Sequence, residues 1–305
     1  MDTASQTAKV HPNLTTFAAP PKDFNLVTAS DKLLALHGIP RRPDAATEPG
    51  LRKLWDRTFS KPVNFVQAEL VHQTTWRSLP HGSPNVNKAG FGLAGNWAGV
   101  VVKTASLGLN PPEPANVVFA EWVVPKINPK PNEPGTQIVG FWVGLGGWNT
   151  TQVLQAGTAA TVTGNTVTYW AWTEWFPAAY KVANLAVQAG DTVSVLVCAP
   201  QADHGYVSMM NHRTNVAISV GVSDPNAGDA PYDGSSVEWV IEAINSEMPN
   251  FGTITFNQLS AGTKNHAINL AHAFTTNTVN SGKTLATGKI LAPQNEVQVI
   301  WDAAI

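Results

Sequence analysis

From Asn96 onward the chain is a succession of short runs rich in β-branched and aromatic residues, each closed by Gly, Pro, Asn or Asp. These are WAGVVVK (97–103), VVFAEWVV (117–124), IVGFWVGL (138–145), TVTYWAW (166–172), TVSVLVC (192–198), VAISVGV (216–222), SVEWVIEA (236–243), TITFNQ (253–258) and EVQVIW (296–301). No long stretch of helical period competes with them. Many short strands separated by turn residues predict an all-β fold, an antiparallel two-sheet β-sandwich. No internal repeat is visible.

The first ninety residues read differently. Residues 1–27 are polar and without period. In TASDKLLALHG, Thr28 or Ser30 can cap a short helix that Gly38 stops before Pro40. In TEPGLRKLWDRTF, Pro49 fits a first turn, and Leu51, Leu54, Trp55 and Phe59 fall on one face. Residues 60–93 read as irregular and end in LPHGSPNVNKAGFG, a linker composition. The division expected is a partly helical leader over 1–90 and a β-sandwich domain over 91–305.

Charge separates the same two parts. Residues 1–88 hold 11 Lys and Arg against 7 Asp and Glu, and residues 89–305 hold 8 against 14. A basic leader and an acidic body attract one another. No dense basic run or nucleic-acid motif is present, so DNA and RNA are not expected partners. No apolar run is long enough for a membrane-spanning helix, and residues 1–20 lack the apolar centre of a secretory signal. The single cysteine, Cys198, excludes an internal disulfide framework and a Cys-based zinc site, and reads as a small semi-apolar strand residue. The eight histidines show no metal-ligand spacing, and no nucleophile elbow, P-loop or dinucleotide fingerprint occurs. Carboxylate chemistry is what remains.

The candidates lie in two places. Residues 138–177 carry Trp142, Trp148, Trp170, Trp172 and Trp175 with one carboxylate, Glu174, and one central amide, Gln155. Tryptophans alternating along strands either fill a core or line a groove that grips a ligand. Trp170, Trp172, Glu174 and Phe176 share one face of their strand. In SVEWVIEA, Val237, Trp239, Ile241 and Ala243 form a core face, which turns Glu238 and Glu242 to the other side. By residue type alone three readings stay open. They are a carboxylate hydrolase, a glycan-active or glycan-binding sandwich using Glu174 and Glu238, and a non-catalytic protein whose tryptophans are core.

The order of NWAG (96–99), WVGLGG (142–147), LQAG (154–157), YWAWTEWFP (169–177), a Gly-Asp turn (190–191) and VEWVIE (237–242) resembles the glutamic peptidases, also called eqolisins or peptidase family G1. The resemblance covers most of residues 95–258. It implies a concanavalin-like sandwich and an acid-acting, pepstatin-insensitive endopeptidase, made as a zymogen with the leader as prosegment. It implies Gln155 and Glu238 as the catalytic dyad, with Trp97, Trp142, Trp172 and Glu174 lining the cleft. Glu238 with a near-normal pKa would serve as general base and then acid on a water. Gln155 would donate to the oxyanion. Polypeptides are the implied substrates, and the leader is the implied internal partner. No metal or cofactor, no membrane, a monomer, an extracellular location and processing within 80–95 are further expectations. The chain departs from the family pattern at Gly146, where an Asp is usual, and at Thr173 and Phe176, where tyrosines are.

Overall fold

The computed structural model describes residues 14–47, 49–59, 63–74, 76, 95–129, 135–148, 150, 152–176, 178–225, 232–244, 248–293 and 295–302. Its elements run β1 (Leu14–Thr16), α1 (Asp31–Leu36), α2 (Pro49–Thr58), β2 (Asn64–Phe65), β3 (Leu70–His72), β4 (Trp97–Lys103), β5 (Ala115–Val123), β6 (Thr136–Gly146), β7 (Val153–Thr163), β8 (Thr166–Trp175) and β9 (Ala178–Val182). They continue as β10 (Thr192–Gln201), β11 (His204–Asn211), β12 (Val216–Ser223), β13 (Ser236–Ala243), β14 (Thr253–Thr263), β15 (Ala267–Ile268), β16 (Ala273–Asn280), β17 (Lys283–Leu291) and β18 (Glu296–Trp301).

Two large sheets face each other. The first has the order β3-β9-β8-β7-β6-β13-β4-β16. The second has the order β15-β14-β5-β10-β11-β12, with β1 and β2 on its far edge. Every described strand pairing is antiparallel except β2 with β12. A smaller sheet, β16-β17-β18-β14, joins the two. Two strands are divided between sheets. Residues 273–276 of β16 pair with β4 and 277–280 with β17, while β14 gives 253–256 to β18 and 257–263 to β5.

The sandwich expected from the sequence is therefore present. Its core is the predicted face of β13, Val237, Trp239, Ile241 and Ala243, packed with Trp122, Phe141, Trp175 and Phe256. The core indoles have hydrogen-bond partners. Trp122 Nε1 donates to Thr158 Oγ1 at 3.2 Å, Trp239 Nε1 to the Phe119 carbonyl at 3.1 Å and Trp175 Nε1 to Gln152 Oε1 at 3.2 Å.

Both leader helices form where expected. Ser30 caps α1, its Oγ accepting from the Leu33 N–H at 3.3 Å, and Gly38 follows with φ of 65°. Leu34, Ile39 and Trp55 make a small buried cluster of their own. The irregular reading of 60–93 is corrected at two points. β2 pairs with β12, and β3 pairs with β9, so the leader extends both sheets. Such short pairings have no periodicity to read in sequence, because the partner strand supplies the template. The processing segment expected in 80–95 lies, but for Gly95, outside the described residues. No helix among the described residues is long and apolar enough to cross a membrane.

Candidate active site

The strand register sets the site. Glu238 on β13 lies opposite Gly144 on β6, Gly144 opposite Gln155 on β7, and Gln155 opposite Glu174 on β8. Directly paired residues share a face, so these four positions form one row across the first sheet. Strand spacing puts the α-carbons of Glu238 and Gln155 about 10 Å apart. The strand between them carries no side chain in that row, and the Trp142 ring lies over Gly144, 2.8 Å from where a Cβ would stand. The next row on the same face is Val240, Trp142, Gly157 and Trp172, and the one after is Glu242, Gly140, Ala159 and Trp170.

Hydrogen bonding divides the row. Gln155 Nε2 donates to Glu174 Oε2 at 2.9 Å, which fixes the amide with its second N–H uncommitted to Glu174. The Thr173 hydroxyl donates to the Gln155 carbonyl at 3.3 Å, holding that strand from the opposite face. Glu238 is fully buried, and neither of its oxygens has a hydrogen-bond partner. Glu242 on the same strand is a structural carboxylate: Asn96 Nδ2 donates to its Oε1 at 2.6 Å. This gives the Asn of NWAG a role that sequence reading missed.

Burial pushes the Glu238 carboxyl well above the usual carboxylate range; the Ser236 hydroxyl opposes the shift and the charge of Asp233 adds to it. Ser236 Oγ makes no hydrogen bond of normal geometry, so it acts as a nearby dipole. The near-normal pKa expected from the sequence is therefore corrected for this covered state. Water is kept from the carboxylate, and the neutral acid is favoured. The sign of the linkage follows. A raised pKa stabilises the covered state below the ordinary carboxyl range, and that stability is lost as pH rises. Glu238 taken alone thus opposes opening in acid, whereas protonation of other carboxylates on the acidic body weakens its attraction for the basic leader and favours opening.

The tryptophans assigned to a cleft are buried on this same face. Trp97 packs edge-on against Trp142, with centroids 4.8 Å apart and rings at 82°, and so supports that ring. Trp142 and Trp172 keep their indole N–H groups unpartnered, unlike the core indoles. Buried tryptophan N–H groups normally find an acceptor. Trp170 on the same face differs, its Nε1 donating to Thr161 Oγ1 at 3.2 Å. Trp76 of the leader joins them, 2% exposed, with its N–H also unpartnered. Trp76 was not recognised from the sequence, since a lone aromatic in an aperiodic segment carries no signal.

Gly146 and Gly147 have φ of 78° and 96°, where a side chain is strained. A Cβ on Gly146 would stand 3.0 Å from the Gln152 carbonyl and 3.9 Å from Asp233 Oδ1. A carboxylate is thus present beside position 146, supplied from a different loop. Asp233, also missed in the sequence, is the charge felt by Glu238. A separate cavity of about 460 Å³ lies between the leader and the second sheet, lined by Ile39, Trp55, Phe65, Cys198 and Met209 among others. It contains none of the row, so it is not the site of this chemistry. Among the described residues no cluster of three or more His, Cys, Asp or Glu could hold a metal ion.

Comparison with known proteins adds the following. Aspergillopepsin-2 of Aspergillus niger is 28% identical over 127 residues, a match spanning 39% of this chain and 44% of that protein. The chain therefore spans less than half the length of that curated relative. The fold resembles scytalido-glutamic peptidase, solved with a transition state analogue inhibitor, at a TM-score of 0.58 and 19% identity. It resembles the eqolisin SCP-B, solved with the tripeptide Ala-Ile-His, at a TM-score of 0.55 and 19% identity. Each likeness covers 68% of this chain and 98% of the other. The sequence model of the peptidase A4 family matches residues 95–301, the stretch that carries the row and every strand from β4 to β18, and the chain belongs to that family, the glutamic-type peptidases.

Proposed function

We propose that the chain hydrolyses peptide bonds in acid by a Glu238/Gln155 dyad and is made as a zymogen whose leader is the prosegment. The observation that carries this reading is the shared row. One buried carboxylate and one oriented amide flank the side-chain-free Gly144 on one face of one sheet. Once the leader leaves, water reaches Glu238 and its pKa falls toward the ordinary range. As carboxylate it takes a proton from a water that attacks the scissile carbonyl. The free N–H of Gln155 stabilises the oxyanion, and Glu174 keeps that amide from turning. Glu238 then passes its proton to the leaving amine. Trp142 and Trp172 shape the cleft, and Trp97 backs them.

The glycosidase reading loses support from the same row. Glu174 and Glu238 are three strands apart, about 14 Å at the backbone, and Gln155 stands between them bonded to Glu174. A glycosidase needs both carboxyls free to flank the scissile bond, and here Glu174 is engaged by the Gln155 amide. The tripeptide bound in SCP-B supports a polypeptide substrate here. An acid optimum suits work outside the cell, by a single chain; recovery of processed monomer from the medium checks both points.

The deciding assay uses denatured protein substrate at acidic pH with pepstatin present. Wild type is expected to cut. Glu238→Gln and Gln155→Ala are each expected to lose at least about a hundredfold in kcat/KM. Activity surviving both substitutions overturns the dyad, and activity abolished by pepstatin points to another mechanism. For the zymogen, full-length wild type held at pH 3–4 is expected to shed its leader while the neutral sample stays whole.

A further inference from the structure

We infer that the hollow filled by Trp76 is a substrate subsite for an aromatic side chain, which the leader occupies as a substrate residue would. The inference rests on the peptidase reading for the word substrate, but the hollow itself is independent of it.

Four observations converge. The first is the company that Trp76 keeps. It belongs to the cluster of Trp97, Trp142, Trp170 and Trp172 on the first sheet, not to the leader's own cluster of Leu34, Ile39 and Trp55. Its burial therefore serves the leader's contact with the body and not the leader's fold. The second is shape. The floor is made of small residues, Gly140 and Ala159, between Glu242 and Trp170 in one row. A Cβ on Gly140 would lie 3.5 Å from Trp76 Cζ2 and 3.7 Å from Trp172 Cζ2, ordinary contact distances, so the Trp76 ring rests directly over this small-residue floor. The third is ring geometry. Trp76 meets Trp172 at 4.4 Å and 83° and Trp170 at 5.2 Å and 81°, the edge-to-face arrangement that favours an aromatic over an aliphatic guest. The fourth is anchorage. Leu70–His72 pair with β9, and the Gln73 N–H donates to the Ala179 carbonyl at 3.0 Å, so the leader is pinned to the edge of this sheet three residues before Trp76.

Two properties of the guest follow. The indole N–H of Trp76 has no acceptor, so the hollow selects a ring by shape and edge-to-face contact, and Phe is accepted with Trp. The hollow lies one to two rows from the dyad, roughly 7–14 Å. The selected residue is therefore about two to four positions from the scissile bond in an extended substrate.

The test uses the full chain. Glu238→Gln removes the base, so the leader stays attached. It is compared with Glu238→Gln/Trp76→Ala and Glu238→Gln/Trp76→Phe by calorimetric titration at pH 5. The probes are blocked octapeptides carrying Trp, Phe, Leu, Ala or Asp at one scanned position. The Trp76→Ala chain is expected to bind the Trp and Phe peptides at least tenfold tighter than the Ala peptide. The parent and the Trp76→Phe chain are expected to bind them at least tenfold more weakly than the opened chain does. Equal binding by opened and parent chains, or no preference for aromatic peptides in the opened one, overturns the inference. If Trp76→Ala does not fold, acid-processed wild type is profiled on the same peptides. Preferred cleavage of the Trp and Phe peptides supports the subsite, and a flat profile overturns it. Aromatic selection by the opened chain, with no cleavage of any peptide by processed wild type, removes the peptidase reading and leaves the subsite standing.

Discussion

At Gly144 a methyl group would stand 2.8 Å from Trp142 Cζ3 and 3.2 Å from Gln155 Cβ. Gly144→Ala is therefore expected to displace both side chains and lower kcat/KM about a hundredfold, with a modest change in Tm. Gly157 differs: its Cβ would fall 2.0 Å from the Phe141 carbonyl, so Gly157→Ala strains the β6–β7 ladder and is expected to cost about 3 kcal/mol. Thermal melts and peptide kinetics on the two variants separate these outcomes. Glu238→Gln should raise Tm at pH 7 by several degrees, since it removes a buried group that ionises on unfolding, and leave Tm at pH 3 unchanged. Cys198 gives a third check. Burial pushes its thiol up to about 12, with Arg41 opposing, so at pH 8 iodoacetamide should label the native chain at least about a hundredfold more slowly than the unfolded one. Of the proposed site, Glu238 and Gln155 stood out in the sequence because motif order marks them. Asp233 and Trp76 did not, because each comes from an aperiodic segment.

Among the elements, β13 was the easiest to read. Its alternation of apolar and acidic residues reports one face toward the core and one toward the row. β7 was invisible as a strand. VLQAGTAATVT is built from small residues because wide indoles of β6 and β8 occupy the space on either side. β16 and β17, mostly small and polar residues, form only because neighbouring strands template them. Turns carry their own anchors. Asp191, at the entry to β10, accepts from Asn211 Nδ2 at 2.7 Å, the Gln188 N–H at 3.0 Å and Arg213 Nη2 at 3.1 Å. Burial alone would raise its pKa, but these donors hold it below the ordinary value. Its contribution is present above the ordinary carboxyl range and fades as pH falls through the lowered pKa. Asp191→Ala is expected to cost about 2 kcal/mol at pH 7 in denaturant unfolding, and less near pH 2.

For the whole molecule, the two large sheets and their antiparallel character followed from the spacing of short strands, but the smaller sheet that closes them did not. Nothing local marks β14 and β16 as strands divided between two sheets, since the division is a matter of which neighbour lies beside each half. Removing residues 296–302 takes β18 from between β14 and β17, and a fall in Tm of about 10 °C in a single cooperative transition is expected. The leader's placement was likewise hidden. Its β1 and β2 cover the outer edge of β12, and its β3 covers β9, so it occupies one open flank of each large sheet. Bare flanks of this kind recruit other chains. β12 would offer Val216, Ala217, Val220 and Val222, and β9 has only Lys181 as a charged guard. A chain without the leader would present both flanks to other copies. A body synthesised without residues 1–94 should collect in the insoluble fraction, whatever the state of its dyad.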